Sequence, residues 1–535
     1  MSAPKPNTAP LPDAPEALTS TATSESTLMD VKQLGLWAAL ASLSYVFWVT
    51  GAMEMIERLA YYGVRAVATI YATRPASTGG LGVTMSTFGT LLLCWNLTQT
   101  IFPIFTGGLS DRYGYKQTIF ASTILKSFGY LVMAWFPTYV GFFVGAMLLA
   151  CGTAIFKPGL QGTLVRATNR RNSSMAWGIF YQTVNIGGWI GPLIALHNRH
   201  SSWKFVFYTN AAVICINFLL LLTYKEPGKE ERLAREQRIR EGKEKRTSLA
   251  LESLSELKKP HLTLYLAIFS VWWLMFPMLW DVLPKYIEDW VNTGPMVHFL
   301  FGADGTQSAF WKFVLGMDST GTHIEPEGIV NINAGLIMFT CFLFAGLSAL
   351  MRATTSLLVG TLFIITALCM FGASNFVGFA VLAAVVFSVG EMLASPKFSE
   401  FLGNIAPPDK KAMWMGFSQA PILLGWTMEG KLGPWLYDKF SSKDAFAREM
   451  LLQHGLTPEQ IAPQALPLGE AFKKLVEVTG ETPEKLTQML YHSHPVGMTW
   501  YVFAGIGIVS AVMIFFYGRW IKKLAQKEAR TGSAA

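Results

Sequence analysis

Glu54, Glu57 and Arg58, followed by Tyr61, Tyr62 and Arg65, interrupt a stretch that is otherwise apolar. Positions 54, 58, 61 and 65 advance by four, three and four residues, which places them on one face of a helix. Two carboxylates beside two guanidinium groups can pair internally. Protonating one glutamate then frees an arginine, so proton binding becomes a change of partners. A pair that merely packs two helices together needs one Glu and one Arg. Four charges and two tyrosines exceed that need.

Polar groups recur at similar depth in other apolar stretches. Lys157 precedes Pro158, Asn185 sits in Phe180–Gly187, and Glu391 is followed one turn later by Ser395. An ionisable side chain inside lipid is costly and faces a bundle interior or an aqueous cavity. Blander roles exist for some of them: Lys157 as a snorkelling side chain, Asn185 as glue between helices. Asp281 is either a gate partner for Arg65 or an interfacial carboxylate. Lys126 and Lys397 are read as packing or snorkelling residues. None of the eight histidines falls in the middle of an apolar stretch, which leaves protonation to carboxylates. No phosphate-binding glycine loop and no supported nucleophile–base pair occurs, so neither ATP-driven work nor enzymatic catalysis is expected.

These side chains need membrane-spanning helices to position them. Of 535 residues, 51% are hydrophobic and 15% charged, against roughly 25% charged in soluble domains. Mean hydropathy is +0.35. Spans are predicted near 40–72, 84–107, 115–136, 138–165, 175–197, 203–223, 262–288, 327–350, 355–374, 376–404, 412–435 and 496–518. The expected fold is all-α and integral to the membrane, twelve helices in two six-helix bundles. The five cysteines all lie in these spans, where thiols are packing residues, so no disulfide or metal is expected.

Lys and Arg set the orientation. With the N-terminus inside, internal segments hold 26 of them and external loops 12, and both termini are therefore cytoplasmic. This bias accounts for the net charge of +8 without nucleic acid. Five regions follow: a disordered tail (1–34), a first bundle (35–223), a charged linker (224–261), a second bundle (262–518) and a basic tail (519–535). The linker carries eleven Lys/Arg and eight Glu, the pattern of a solvated helix. An external helical insert at 436–495 contains TPEQ and TPEK, each a local helix start with Pro at the first position. Its His492 and His494 are a weak metal site, and solvated loop is preferred.

Two sets of motifs resemble a known family. Gly107–Lys116 (GGLSDRYGYK), expected in the loop after the second span, is similar to the G-x-L-x-D-R-x-G-x-K signature of the major facilitator superfamily. Glu54–Ala66 (EMIERLAYYGVRA) resembles the E-x-x-E-R-F-x-Y-Y-G-x-R-A run of proton-coupled oligopeptide transporters, with Leu59 at the Phe position. Lys157–Pro158, Phe180–Gly187, and Gly390-Glu391 with Ser395 and Ala406-Pro407 are similar to further motifs of that family. The resemblance runs over roughly 50–410 and implies the major facilitator fold. In it Arg58 and Lys157 hold a peptide carboxylate, Glu391 holds its amino group, and Glu54 and Glu57 couple the site to protons. Tyr61, Tyr62, Asn185 and Ser395 line the site. Arg65 pairs with an acid of the seventh span to close an outer gate, and Gly107, Asp111 and Arg112 lock the cytoplasmic side. The implied partners are a small solute of peptide type, protons and the bilayer. No cofactor is implied, the proton being the coupling ion, and the location is a plasma membrane, the inner one in a bacterium.

The chain departs from the family pattern in the seventh span. Trp273-Leu274-Met275-Phe276 leads into Pro277-Met278 where the family has an acidic or glutamine pair, and Asp281 lies about one turn further on. Asn331-Ile332-Asn333-Ala334 replaces an N-P in the eighth span. A divergent member is expected. Three readings stay open: a proton-coupled symporter for small zwitterions, a facilitator or exporter of another organic solute or anion, and a non-transporting sensor. A sensor has no need of the Glu54, Glu57, Arg58 and Lys157 set.

Overall fold

Ser44 accepts a hydrogen bond from the Phe47 amide at 3.3 Å and opens helix α1, Tyr45–Thr73. Thr84 does the same for α2, Met85–Tyr113, and Thr138 for α4, Tyr139–Arg166. The N-terminus of α3, Tyr115–Trp135, is capped from the linker instead, where Glu226 accepts from the Tyr115 amide at 2.8 Å. Next come α5 (Ser173–Ser201) and α6 (Trp203–Leu222). This computed structural model describes residues 36–168, 173–241, 257–349, 351, 353–405 and 417–532. The expected tail 1–34, most of the linker beyond its helix Lys229–Arg240, and Ala406-Pro407 lie outside the described residues.

The second half starts with a broken helix. α7, Pro260–Trp273, stops before Pro277, which lacks an amide donor and disfavours helical geometry in the residue before it. The chain resumes as two short helices, Met278–Asp281 and Leu283–Trp290. Then follow α8 (Pro326–Ala349), α9 (Ala353–Ala373), α10 (Val377–Ile405), α11 (Gln419–Phe440) and α12 (Met498–Gly532). Between α11 and α12 lie Lys443–Gln453, Pro458–Ile461, Ala471–Thr479 and Pro483–Ser493. TPEQ and TPEK open the second and fourth of these, TPEQ through a capping box. His494 stacks on Phe446 at 3.9 Å between centroids. The loop before α8 also holds two short helices, Gly294–Phe301 and Ala309–Val314, that no sequence period announces.

The two halves repeat one packing scheme. α1 packs on α5, α2 on α4, α3 on α4 and on α6. Six helices on, α7 packs on α11, α8 on α10, α9 on α10 and on α12. The seams between halves are equivalent too, α2 against α11 and α8 against α5. Glycines allow the same close approach in both halves. A Cβ on Gly145 would sit 2.7 Å from the Gly129 carbonyl, and one on Gly390 2.6 Å from the Gly360 carbonyl. Internal duplication of this kind places a shared cavity at the interface of the repeats.

Large apolar side chains face outward from the bundle, including Phe120, Ile124 and Phe128 on α3 and Ile508, Val512 and Phe516 on α12. Contiguous exposed apolar surface of this extent belongs against lipid. Seven described helices are long and apolar enough to cross a membrane. α1 is excluded from that set by its four charges, which its neighbours bury.

The glycine-rich motif requires a correction. Residues 107–113 continue α2, and the turn is made by Gly114 at φ 106°, a conformation that suits glycine. The expected loop there is a helix end, and the side chains of Asp111 and Arg112 lie outside the described residues.

Candidate functional site

α1 holds its charges as the spacing requires. Arg58 Nε lies 3.1 Å from Glu54 Oε1, and Arg58 Nη2 lies 2.5 Å from Glu57 Oε2. The arginine carbon is 5.2 Å from the Tyr61 ring centroid and 6.0 Å from that of Tyr62. Tyr61 donates its hydroxyl to Gln99 at 3.2 Å. Glu57 is fully buried and has a second cation. Lys126 of α3 reaches its Oε1 at 3.0 Å, and Thr153 donates to the same oxygen at 3.4 Å. Lys126 is 1% exposed, with its ammonium 3.7 Å from the Phe156 ring centroid. It is a member of the charge cluster and does not snorkel. Lys397 is likewise buried.

Lys157 has an exposed side chain, close enough to Glu54, Glu57 and Arg58 to interact electrostatically. Across the molecule, Glu391 of α10 accepts from Asn333 Nδ2 at 3.0 Å, and Asn333 also donates to Ser388 at 3.0 Å. Both partners of Glu391's neighbourhood are neutral amide and hydroxyl groups, so the carboxylate has no paired cation among the described residues. A cavity of about 120 Å³ between the halves is lined by Tyr62, Asn185, Trp280, Asn331, Asn333 and Glu391. Arg58, Lys157 and Ser395 do not line it. The Ser395 hydroxyl has no hydrogen-bond partner among the described residues.

Arg65 and Asp281 meet between the halves. Arg65 Nη2 is 2.6 Å from Asp281 Oδ1 and 2.8 Å from Oδ2, with both side chains buried. Thr69 donates to the Asp281 carbonyl at 3.2 Å. The break in α7 at Pro277 puts Asp281 on its own short helix at the level of Arg65. Three further contacts, unread from the sequence, close the same end. Arg74 Nε lies 2.6 Å from Glu288, Arg199 lies 2.6 Å from Glu325 and 2.8 Å from Glu327, and Asp438 accepts from the Met85 and Ser86 amides at 3.1 and 2.5 Å. Outside the cavity just described, a larger cleft of about 490 Å³ opens at this end, lined by Arg74, Lys285, Glu288, Asp438 and Lys443 among others. Among the described residues, every ion pair joining one half to the other lies at this end. We refer to it as the clasped end.

Comparison with known proteins accords with this architecture. Residues 58–419 match the model of the Major Facilitator Superfamily, more than half of the chain. The chain belongs to the major facilitator superfamily. It is a multi-pass membrane protein with a transporter fold. It is 30% identical over 174 residues to an uncharacterized transporter, YclF, of Bacillus subtilis (strain 168), covering 32% of this chain and 34% of that one. It is also 30% identical over 146 residues to a di-/tripeptide transporter of Lactococcus lactis subsp. lactis (strain IL1403), covering 26% of this chain and 29% of that one. The aligned stretches thus span about a third of these relatives' lengths. Among solved structures, a POT family transporter in complex with a thioalcohol-conjugated peptide superposes with TM-score 0.62 at 15% identity, covering 91% of this chain and 99% of that one. A bacterial homolog of the human lysosomal transporter Spinster, in an inward-facing conformation, gives 0.65 at 14% identity, covering 89% and 96%. A mutant form of the nucleoside transporter NupG gives 0.60 at 12%, covering 88% and 99%.

Proposed function

We propose that this superfamily member is a proton-coupled symporter of di- and tripeptides or peptide-like zwitterions, a divergent oligopeptide transporter. It works by alternating access, with twelve spans in a plasma membrane and both termini in the cytoplasm. The observation that carries the reading is the charge balance across the site. Glu54 and Glu57 are matched by Arg58 and Lys126. Among the described residues, Lys157 is then a positive charge in excess on the first half, and Glu391 faces only neutral groups on the second. Glu391 lines the cavity and Lys157 lies beside the α1 cluster outside that lining; a spare anion on one half and a spare cation on the other are complementary to a zwitterion held between the halves. Tyr62 and Asn185 line the cavity together with Glu391.

Glu57 is the hinge of the coupling. Its two oxygens serve Arg58 and Lys126 separately, so protonating it removes the charge that holds both cations and frees Arg58 toward Glu54. Arg65 and Asp281 form the outer gate. Gly107, Asp111 and Arg112, at the far end of α2, belong to the cytoplasmic closure. No cofactor takes part.

Uptake by proteoliposomes under an imposed pH gradient tests the reading, with a dipeptide first and a solute panel after it. Accumulation that follows the gradient supports symport. Gradient-independent flux of a solute sinks the coupling and leaves a facilitator or exporter. Binding without flux for every solute identifies a sensor. The facilitator reading draws on Pro277-Met278, which replace the acidic or glutamine pair of the resembled family in the seventh span.

A further inference from the structure

Glu429 of α11 is fully buried, and neither of its carboxylate oxygens meets a conventional donor among the described residues. α11 packs against the short helix that carries Asp281, and the Glu429 carboxylate lies within electrostatic reach of both Asp281 and Arg65. Two carboxyl groups so placed can bond to each other only through a proton held by one of them. Charge counting calls for that proton. Asp281, on the short helix after α7, and Glu429, on α11, stand against one guanidinium, Arg65 of α1. The other titratable group close to Arg65 is Tyr61, which is already bonded to Gln99. α2 contributes neutral groups here: Trp95, whose ring centroid is 5.3 Å from the Arg65 carbon, and Asn96, which donates to the Trp426 carbonyl at 3.0 Å. Two buried carboxylates beside one cation leave a bare negative charge unless a proton is retained.

We infer that Asp281 and Glu429 form one proton-binding site, in which Glu429 keeps a proton while Asp281 pairs with Arg65. The inference rests on the proton-coupled reading and adds a residue to it. With a single acid at the gate, ion pairing and proton occupancy exclude each other, because a neutral carboxyl does not hold the arginine. A second acid within reach removes that conflict. Asp281 supplies the charge that closes the gate, Glu429 carries the proton through the closure, and both belong to the same half. When the halves part at the clasped end, Arg65 leaves with the first half, and the acid pair remains together to reload.

Infrared difference spectroscopy of the full-length protein in lipid nanodiscs tests this without transport. At neutral pH the C=O stretch of a protonated carboxyl is expected, and Glu429→Gln abolishes it. Asp281→Asn also abolishes it, because Glu429 then gives up its proton to pair with Arg65, whereas Glu429→Asp retains it. Loss of one shared band in both of the first two variants supports a single site. A spectrum unchanged by Glu429→Gln overturns it, whether or not the protein couples solute to protons. In proteoliposomes Glu429→Gln keeps solute counterflow and loses accumulation driven by the gradient. Wild-type accumulation in that variant overturns the inference while leaving symport standing. Absence of coupling in the wild-type protein, with the band intact, sinks the symport reading alone.

Discussion

Arg199 offers a direct measure of what the clasped end contributes. Its side chain is 2% exposed and bridges Glu325, which is 18% exposed, and Glu327, which is 0% exposed. Arg199→Met leaves Glu327 buried without a cation in the closed arrangement. Breaking one side of a buried pair costs about 3–5 kcal/mol. Glu327 lies in the first turn of α8, where the helix dipole returns up to about 1 kcal/mol. In the open arrangement Glu327 is hydrated, so nearly all the penalty falls on the closed state. A net shift of about 2–4 kcal/mol corresponds to roughly thirtyfold to several-hundredfold in the open-to-closed ratio. Spin labels at exposed Lys204 and Ser319, on opposite sides of the seam, report it as a longer distance population. Combining Arg199→Met with Glu327→Gln removes the orphaned charge and restores most of the closed population. A distance distribution unmoved by Arg199→Met refutes the assignment of this contact as a clasp. So does a double variant no more closed than the single one.

Further outcomes follow from the same geometry. Glu57→Gln is expected to abolish gradient-driven uptake in proteoliposomes, while Lys126→Met, which leaves Glu57 to Arg58 alone, lowers the thermal stability of the detergent-solubilised protein by several degrees, read by a melting scan. Glu391→Gln weakens binding of solutes bearing an amino group by about 1.5–3 kcal/mol, and Lys157→Gln weakens those bearing a carboxylate. Calorimetry with a dipeptide and its N-acetyl derivative separates the two. Asp438, outside the spans, has its carboxyl pushed up to about 6 by burial, against the Ser86 and Met85 amides that act to lower it. A raised carboxyl favours the closed state in its protonated form, so closure strengthens as pH falls from about 6 toward the ordinary value of 3.8 and weakens as pH rises through about 6. Asp438→Asn flattens that dependence in the same spin-label experiment.

The polar stripe on α1 is legible because a helix repeats every 3.6 residues and lipid makes buried charge expensive. Spacing alone puts Glu54, Arg58, Tyr61 and Arg65 on one face. What spacing does not carry is which partner each finds. Lys126 reads as a packing or snorkelling residue, and only the approach of α3 shows that it takes the second oxygen of Glu57. Arg199 and Glu327 sit at helix ends, where an isolated charge is ordinary until another helix end meets it. Glu429 obeys the rule used for Glu391, an acid inside a predicted span, and that rule applied evenly along the chain finds it. The Gly107–Tyr113 segment misleads in the other direction, since glycine and aspartate signal a turn by composition while the backbone continues as helix to Gly114.

The concentration of ion pairs at one end gives the carrier a sidedness of affinity. A solute arriving from the clasped face binds only the fraction of molecules that is open there, and its apparent dissociation constant is raised by the inverse of that fraction. If the clasp holds that fraction near about 1%, the same cavity presents a constant about a hundredfold weaker on one face than on the other. Two observers on opposite sides of the membrane would therefore report different affinities for one site, and neither would be wrong.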